Sequence, residues 1–253
     1  MAIRGRVGEA LRGQVSAYHG FLEETGAPVS RREGPGSHVV VLISFGEEWT
    51  IDGDRFSSFV GGLRNRQVAT RHEGRSHGIH VDLTPPAAHR IFGLPLHELA
   101  ERQVPLEEVL DEPFLAERLH DAGEWESRFR LLDDVFGRRL TDPVSGEIAW
   151  AWARLVDTDG AVPIGDLARE LGWSRKRIVA RFREVIGLPP KRAAKLLRFE
   201  RARALAGSAS TPDWAWIARE AGYYDQSHLI NEFRAVTGRT PETFFQDSLA
   251  PAA

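Results

Sequence analysis

A segment that the chain writes twice limits what it can fold into more than any other feature. Leu167-Ala168-Arg169-Glu170-Leu171-Gly172-Trp173 returns fifty residues later as Ile217-Ala218-Arg219-Glu220-Ala221-Gly222-Tyr223, and a polar stretch and an amphipathic run follow each copy. Ile178 and Phe182 sit four apart after the first glycine, Leu229 and Phe233 four apart after the second. The runs close at Gly187 and Gly238, ahead of Pro189 and Pro241. Side chains at that spacing share one helix face, and a glycine between two helices supplies the positive φ that a tight turn requires. The pattern predicts a helix-turn-helix made twice.

Charge is concentrated around the first copy. Residues 174–203 hold Arg175, Lys176, Arg177, Arg181, Arg183, Lys191, Arg192, Lys195, Arg198, Arg201 and Arg203 against only Glu184 and Glu200. The net charge of −3 hides this: fifteen Lys and Arg face ten Asp and Glu from residue 160 onward, so a basic module follows an acidic one. On a helical wheel Lys176, Val179, Ala180 and Arg183 lie opposite Ile178, Phe182 and Val185. Cations beside short side chains on an exposed face let a helix approach a phosphate-lined groove.

Two such units joined by one helix, with Leu-Arg-x-Glu-Arg-Ala-Arg (Leu197 to Arg203) in the connector and Gly-Tyr-Tyr-Asp-Gln-Ser-His-Leu (Gly222 to Leu229) entering the second unit, resemble the AraC/XylS family of bacterial transcription regulators. The resemblance covers residues 162–245. In the first recognition helix the positions matching the family's base-reading sites are Lys176, Val179 and Ala180, with Arg175 and Arg183 suited to phosphates and Arg177 beside Lys176. Val179 and Ala180 depart from the polar residues common there and offer only apolar contact, for instance to a thymine methyl. In the second helix the matching positions are Gln226, Ser227, Ile230 and Asn231, with Arg234 toward the backbone. Its amides can pair bidentately with adenine in the major groove, so the second helix is expected to carry more of the specificity. Residues 191–206 give a connector of roughly 24 Å, long enough to hold both recognition helices on one side of a duplex.

The amino-terminal part reads differently. The β-branched run 37–45, Trp49-Thr50-Ile51 and residues 56–60 and 79–83 suit strands, and Asp52-Gly53-Asp54 a hairpin turn. From Pro85 onward residues 87–92, 106–110, 114–121 and 125–140 suit helices, with Trp125, Phe129, Leu132 and Phe136 on one core face. The run His77-Gly78-Ile79-His80-Val81-Asp82-Leu83-Thr84-Pro85 through Gly93-Leu94-Pro95 is similar to an uncharacterised cupin-like domain found in such regulators. The expected fold class is α+β: a β-rich, barrel-like (cupin-like) domain with helices over 1–145, a linker at 141–146, then an all-α double helix-turn-helix domain over 146–253.

Composition closes off several classes. The chain has no cysteine, which removes disulfides, thiolate metal sites, cysteine nucleophiles and the methyl-accepting relatives of the family together. It shows neither a membrane-length apolar run nor a cleavable signal pattern, so a cytoplasmic protein with no membrane partner is expected. His72, His77 and His80 lack the paired spacing and downstream glutamate of a cupin metal site, and no catalytic, metal or cofactor constellation can be assembled. Trp150 and Trp152, like Trp214 and Trp216, point about 200° apart on a helix, so at most one of each pair is deeply buried. The chain therefore reads as a sequence-specific DNA-binding regulator rather than an enzyme, its partners being double-stranded DNA, a small-molecule effector, RNA polymerase and a second copy of the chain. The alternatives are a cupin-like metal-dependent enzyme tethered to DNA and a protein that binds DNA without reading it.

Overall fold

The computed structural model describes residues 1–140, 146–209 and 211–249. The expected linker and the domain boundary near residue 145 fall on 141–145, outside the described residues. The strands are β1 (Ala2–Gly5), β2 (Val15–Glu24), β3 (Val29–Glu33), β4 (Val39–Ser44), β5 (Trp49–Ile51), β6 (Asp54–Phe56), β7 (Phe59–Gly61), β8 (Val68–His72) and β9 (Arg75–Leu83). Helix α1 (Pro85–Phe92) follows, then β10 (Gln103–Pro105), α2 (Leu115–Asp121) and α3 (Trp125–Arg139). All strand pairs are antiparallel, in a six-stranded sheet ordered β1-β2-β9-β4-β7-β10 and a four-stranded sheet ordered β3-β8-β5-β6.

Strand alternation gives the large sheet two different faces. Tyr18, Val39, Val41, Ile43, Ile79, Val81 and Leu83 pack with Ala87 and Ile91 of α1 and Phe129, Leu132 and Phe136 of α3. The Tyr18 hydroxyl donates to Asp133 of α3 at 3.0 Å, tying helix to sheet. The intervening Val40, Leu42, His80 and Asp82 face the small sheet, where Leu42 and Phe59 join Trp49, Ile51 and Val68.

The expected β-rich domain followed by helices is present, and two finer expectations change. The strands form two sheets; the chain passes from β8 to β9 through Gly74, whose φ of 95° and approach to the Ala27 carbonyl leave no room for a Cβ (2.7 Å). Residues 56–60 are not one strand, because the chain changes sheets between β6 and β7 at Ser57-Ser58, where the Ser58 hydroxyl accepts from the Ser44 N–H at 3.1 Å. Residues 106–110 carry only a three-residue 3-10 turn, Leu106–Glu108, directly after β10. The hairpin at Asp52-Gly53 forms with φ of 51° and 102°, and the Asp52 carboxylate is occupied by the Ala69 N–H (2.8 Å) and by Arg66 (2.5 Å).

The carboxyl-terminal part comprises α4 (Gly146–Asp157), α5 (Ile164–Glu170), α6 (Arg175–Val185), α7 (Pro190–Gly207), α8 (Trp214–Glu220), α9 (Gln226–Thr237) and α10 (Pro241–Leu249). It has two cores that share α7. Ala193, Ala194, Leu196 and Leu197 pack with Ile148, Trp152, Leu167, Ile178 and Phe182; Phe199, Ala202 and Ala206 pack with Trp214, Ile217, Leu229 and Phe233. Leu63, from the loop after β7, is buried in the first of these cores and joins the two halves of the molecule. As the helical wheel requires, Trp152 and Trp214 are buried while Trp150 and Trp216 are exposed.

Candidate nucleic-acid interface and the adjoining cavity

Each repeated segment forms the same device. Gly172 and Gly222 take φ of 64° and 73° after α5 and α8, so the chain reverses and enters α6 and α9. Both entering helices are capped: the Ser174 hydroxyl accepts from the Arg177 N–H at 3.2 Å, and the Asp225 carboxylate from the His228 N–H at 2.7 Å. The cap fixes where the helix starts and therefore which side chains occupy its exposed first turn. Replacing Asp225 with Ala is expected to cost about 1 kcal/mol of stability, read as a lowered thermal midpoint.

The inner faces of α6 and α9 are buried through Ile178, Phe182 and Val185 and through Leu229 and Phe233. The outer faces present the residues singled out from sequence. Arg175, Lys176, Arg177, Val179, Ala180 and Arg183 are exposed on α6, as are Gln226, Ser227, Asn231 and Arg234 on α9. Ile230 is half-buried against the second core, which leaves only part of its side chain free for an outside contact. The Arg177 guanidinium stacks over Trp173 at 4.3 Å, which orients it beside the helix start.

The basic stretch divides into two groups. Arg181 pairs with Glu184, Arg192 with Glu101, Lys195 and Arg198 with Glu232, and Arg201 with Asp159. Arg175, Lys176, Arg177, Arg183, Lys191 and Arg203 have no ion pair among the described residues. Sequence reasoning counted all eleven alike and missed Glu232. This carboxylate is only 7% exposed and lies 3.3 Å from Lys195, 3.9 Å from Arg198 and 3.1 Å from His228, so it locks the connector to the second recognition helix. The His228/Glu232 spacing of four was the available signal. Also unremarked was Tyr224, 91% exposed at the entrance to α9.

A cavity of about 380 Å³ opens between the two sheets, walled by Val40, Leu42, Trp49, Ile51, Phe59 and Val68. Arg64, Gln103, His80 and Asp82 add polar groups, and Glu200 and Arg203 of α7 complete the wall. Glu200 accepts from the Ser37 N–H at 2.9 Å, so the loop before β4 rests on the connector. Asp82 accepts from His80 at 3.1 Å with His19 at 3.7 Å. Its burial alone would raise the carboxyl pKa, but the hydrogen bond from His80 and the charges of His80, His38 and His19 hold it below the usual carboxylate range. Burial lowers the pKa of the Arg64 guanidinium. The three histidines weighed from sequence do not converge: His72 is buried beside Trp49 (5.0 Å), His77 lies on the helical side against Phe45 (4.8 Å), and His80 faces the cavity.

Residues 167–247 match a family of helix-turn-helix domains. No curated protein matches the sequence. Among solved structures, the chain is similar to the apo form of a ToxT variant from Vibrio cholerae, at 9% identity over 90% of this chain and 97% of that one, with a TM-score of 0.49. It is also similar to the AraC-like transcriptional activator CuxR, at 14% identity over 83% of this chain and 95% of that one, with a TM-score of 0.32. The xylose-binding transcription activator XylR matches at 17% identity over 48% of this chain and 38% of that one, with a TM-score of 0.35. At such scores these likenesses assign neither ligand nor site. With the doubled glycine turn, the shared connector and the family match falling on the same residues, 167–247 are a helix-turn-helix domain of the AraC type.

Proposed function

We propose that the protein is a sequence-specific DNA-binding transcription regulator whose sheet-rich half, about residues 1–145, takes up a small-molecule effector between its two sheets. The observation that carries this is the pair of capped recognition helices, each seated on its own core and each presenting an outward face of basic or amide side chains. On α6, Lys176 and Arg177 reach base edges, Val179 and Ala180 offer apolar contact, and Arg175 and Arg183 hold phosphates. On α9, Gln226, Ser227, Asn231 and the free part of Ile230 lie against bases and Arg234 against the backbone. The role is regulatory rather than catalytic and is exercised in the cytoplasm. RNA polymerase and a second copy of the chain are the further partners of such a regulator.

The effector cavity is supported by its size, within the range of about 300–1,000 Å³ usual for small-molecule sites, and by its mixture of apolar wall and few polar groups. Because Glu200 and Arg203 of α7 form part of that wall, a bound molecule would touch the helix that spaces the two recognition helices.

The test is a comparison of two kinds of variant on a selected site and on a scrambled duplex. Gln226→Ala or Asn231→Ala should cost roughly 1–3 kcal/mol on the selected site and relax its preference at one or two base pairs, whereas Arg183→Ala should weaken binding to both duplexes alike. Equal losses on both duplexes from the amide variants would show that α9 does not read bases, and would favour DNA binding without readout.

A further inference from the structure

The buried side-chain atoms left without a partner in the cavity are all of one kind. The indole Nε1 of Trp49, the Nε of Arg64 and the Nε2 of Gln103 are buried and have no hydrogen-bond partner among the described residues, and all three residues line the cavity. Each is a donor. Of the carboxylates in the lining, Asp82 accepts from His80 and Glu200 from the Ser37 N–H, while Glu33 is exposed at the rim.

Two of the three donors sit side by side. Gln103 pairs with Gly61 across β10 and β7, and Arg64 Nη1 lies 3.5 Å from where a Cβ on Gly61 would stand. The guanidinium thus lies over Gly61, next to Gln103. The only protein acceptor that Arg64 reaches is the Gly34 carbonyl, at 3.5 Å, and no carboxylate forms an ion pair with it among the described residues. Trp49 stands on the facing sheet, beside Ile51.

A half-buried cation whose Nε is unmet, flanked by further unmet donors, favours an acceptor-only, negatively charged group. A sugar would bring further hydroxyl donors to a place whose unmet buried atoms are already donors, and a cation would meet Arg64. A dianion would carry a second charge toward Glu33, Asp82 and Glu200. The aromatic and aliphatic wall suits a flat apolar body.

We propose that this cavity selects an apolar, ring-bearing organic monocarboxylate, its carboxylate held by Arg64 and Gln103 and its body lying along Trp49, Ile51 and Phe59. The assignment rests on the effector-binding role proposed above.

Calorimetric titration of the full-length protein with biphenylcarboxylate and with its neutral carboxamide tests it. The carboxylate should bind at least roughly tenfold more tightly than the carboxamide, because only the anion makes charge-assisted hydrogen bonds. That preference should vanish in Arg64→Gln and shrink in Gln103→Leu. The comparison of the two probes on the unmodified protein, and Gln103→Leu, decide the matter if Arg64→Gln does not fold. Equal binding of both probes would overturn the anion assignment while leaving an effector cavity in place. Binding of neither probe up to millimolar concentration would overturn the monocarboxylate assignment.

Discussion

Raising monovalent salt from about 50 to about 200 mM should lower the affinity of this protein for duplex DNA roughly a thousandfold. Each phosphate met by a free Lys or Arg releases condensed counterions, and log affinity falls against log salt with a slope near −0.9 per contact. Not every cation in the basic stretch is free. Arg181, Arg192, Lys195, Arg198 and Arg201 are held by Glu184, Glu101, Glu232 and Asp159, and Arg203 stands in the cavity wall, which leaves Arg175, Lys176, Arg177, Arg183 and Lys191 of the stretch together with Arg234 of α9. About six contacts give a slope between about −5 and −6. A slope near −10 would mean that the internal pairs open on binding, and a flat dependence would remove the phosphate contacts altogether.

Phe233→Ala should destabilise the second helix-turn-helix unit by about 3–5 kcal/mol. The ring is fully buried, with Phe199 at 4.7 Å, Phe244 at 5.9 Å and Trp214 at 6.4 Å between ring centroids. Most of that small core is built around it, so truncation leaves a cavity that α8 and α9 cannot close without shifting. The first unit has its own core through Ile178 and Phe182 and should persist. Denaturant unfolding followed by hydrogen exchange should therefore show protection lost in α8 and α9 and retained in α5 and α6. A loss below about 1 kcal/mol would mean that the second core does not depend on this ring.

How much was legible in the sequence differs between the two halves for a physical reason. Helix contacts are local, so the spacing of Ile178 and Phe182, or of Leu229 and Phe233, already states which face is buried, and Gly172 and Gly222 mark the turns. Ser174 and Asp225 stand where caps belong. Sheet partners are distant in sequence, and β2, the longest strand at ten residues, went unnoticed because Gly20 and His19 interrupt its apolar alternation. Nothing local tells that His19 faces His80 or that Gln103 faces Gly61. The cavity was illegible for the same reason, since Arg64, Gln103 and Trp49 come from three segments that only the sheet order brings together. Glu232 is buried only by the packing of α7 against α9, where Lys195 and Arg198 meet it.

One chain should read two groove segments with α6 and α9. Selection of bound duplexes from a random pool by the full-length protein tests it most directly. The expected result is an enriched site with two conserved elements about one helical turn apart, the element read by α9 containing adenine that Gln226→Ala or Asn231→Ala no longer distinguishes. A pool that stays random although duplex DNA is retained, or a single short element unaffected by those two variants, would contradict it.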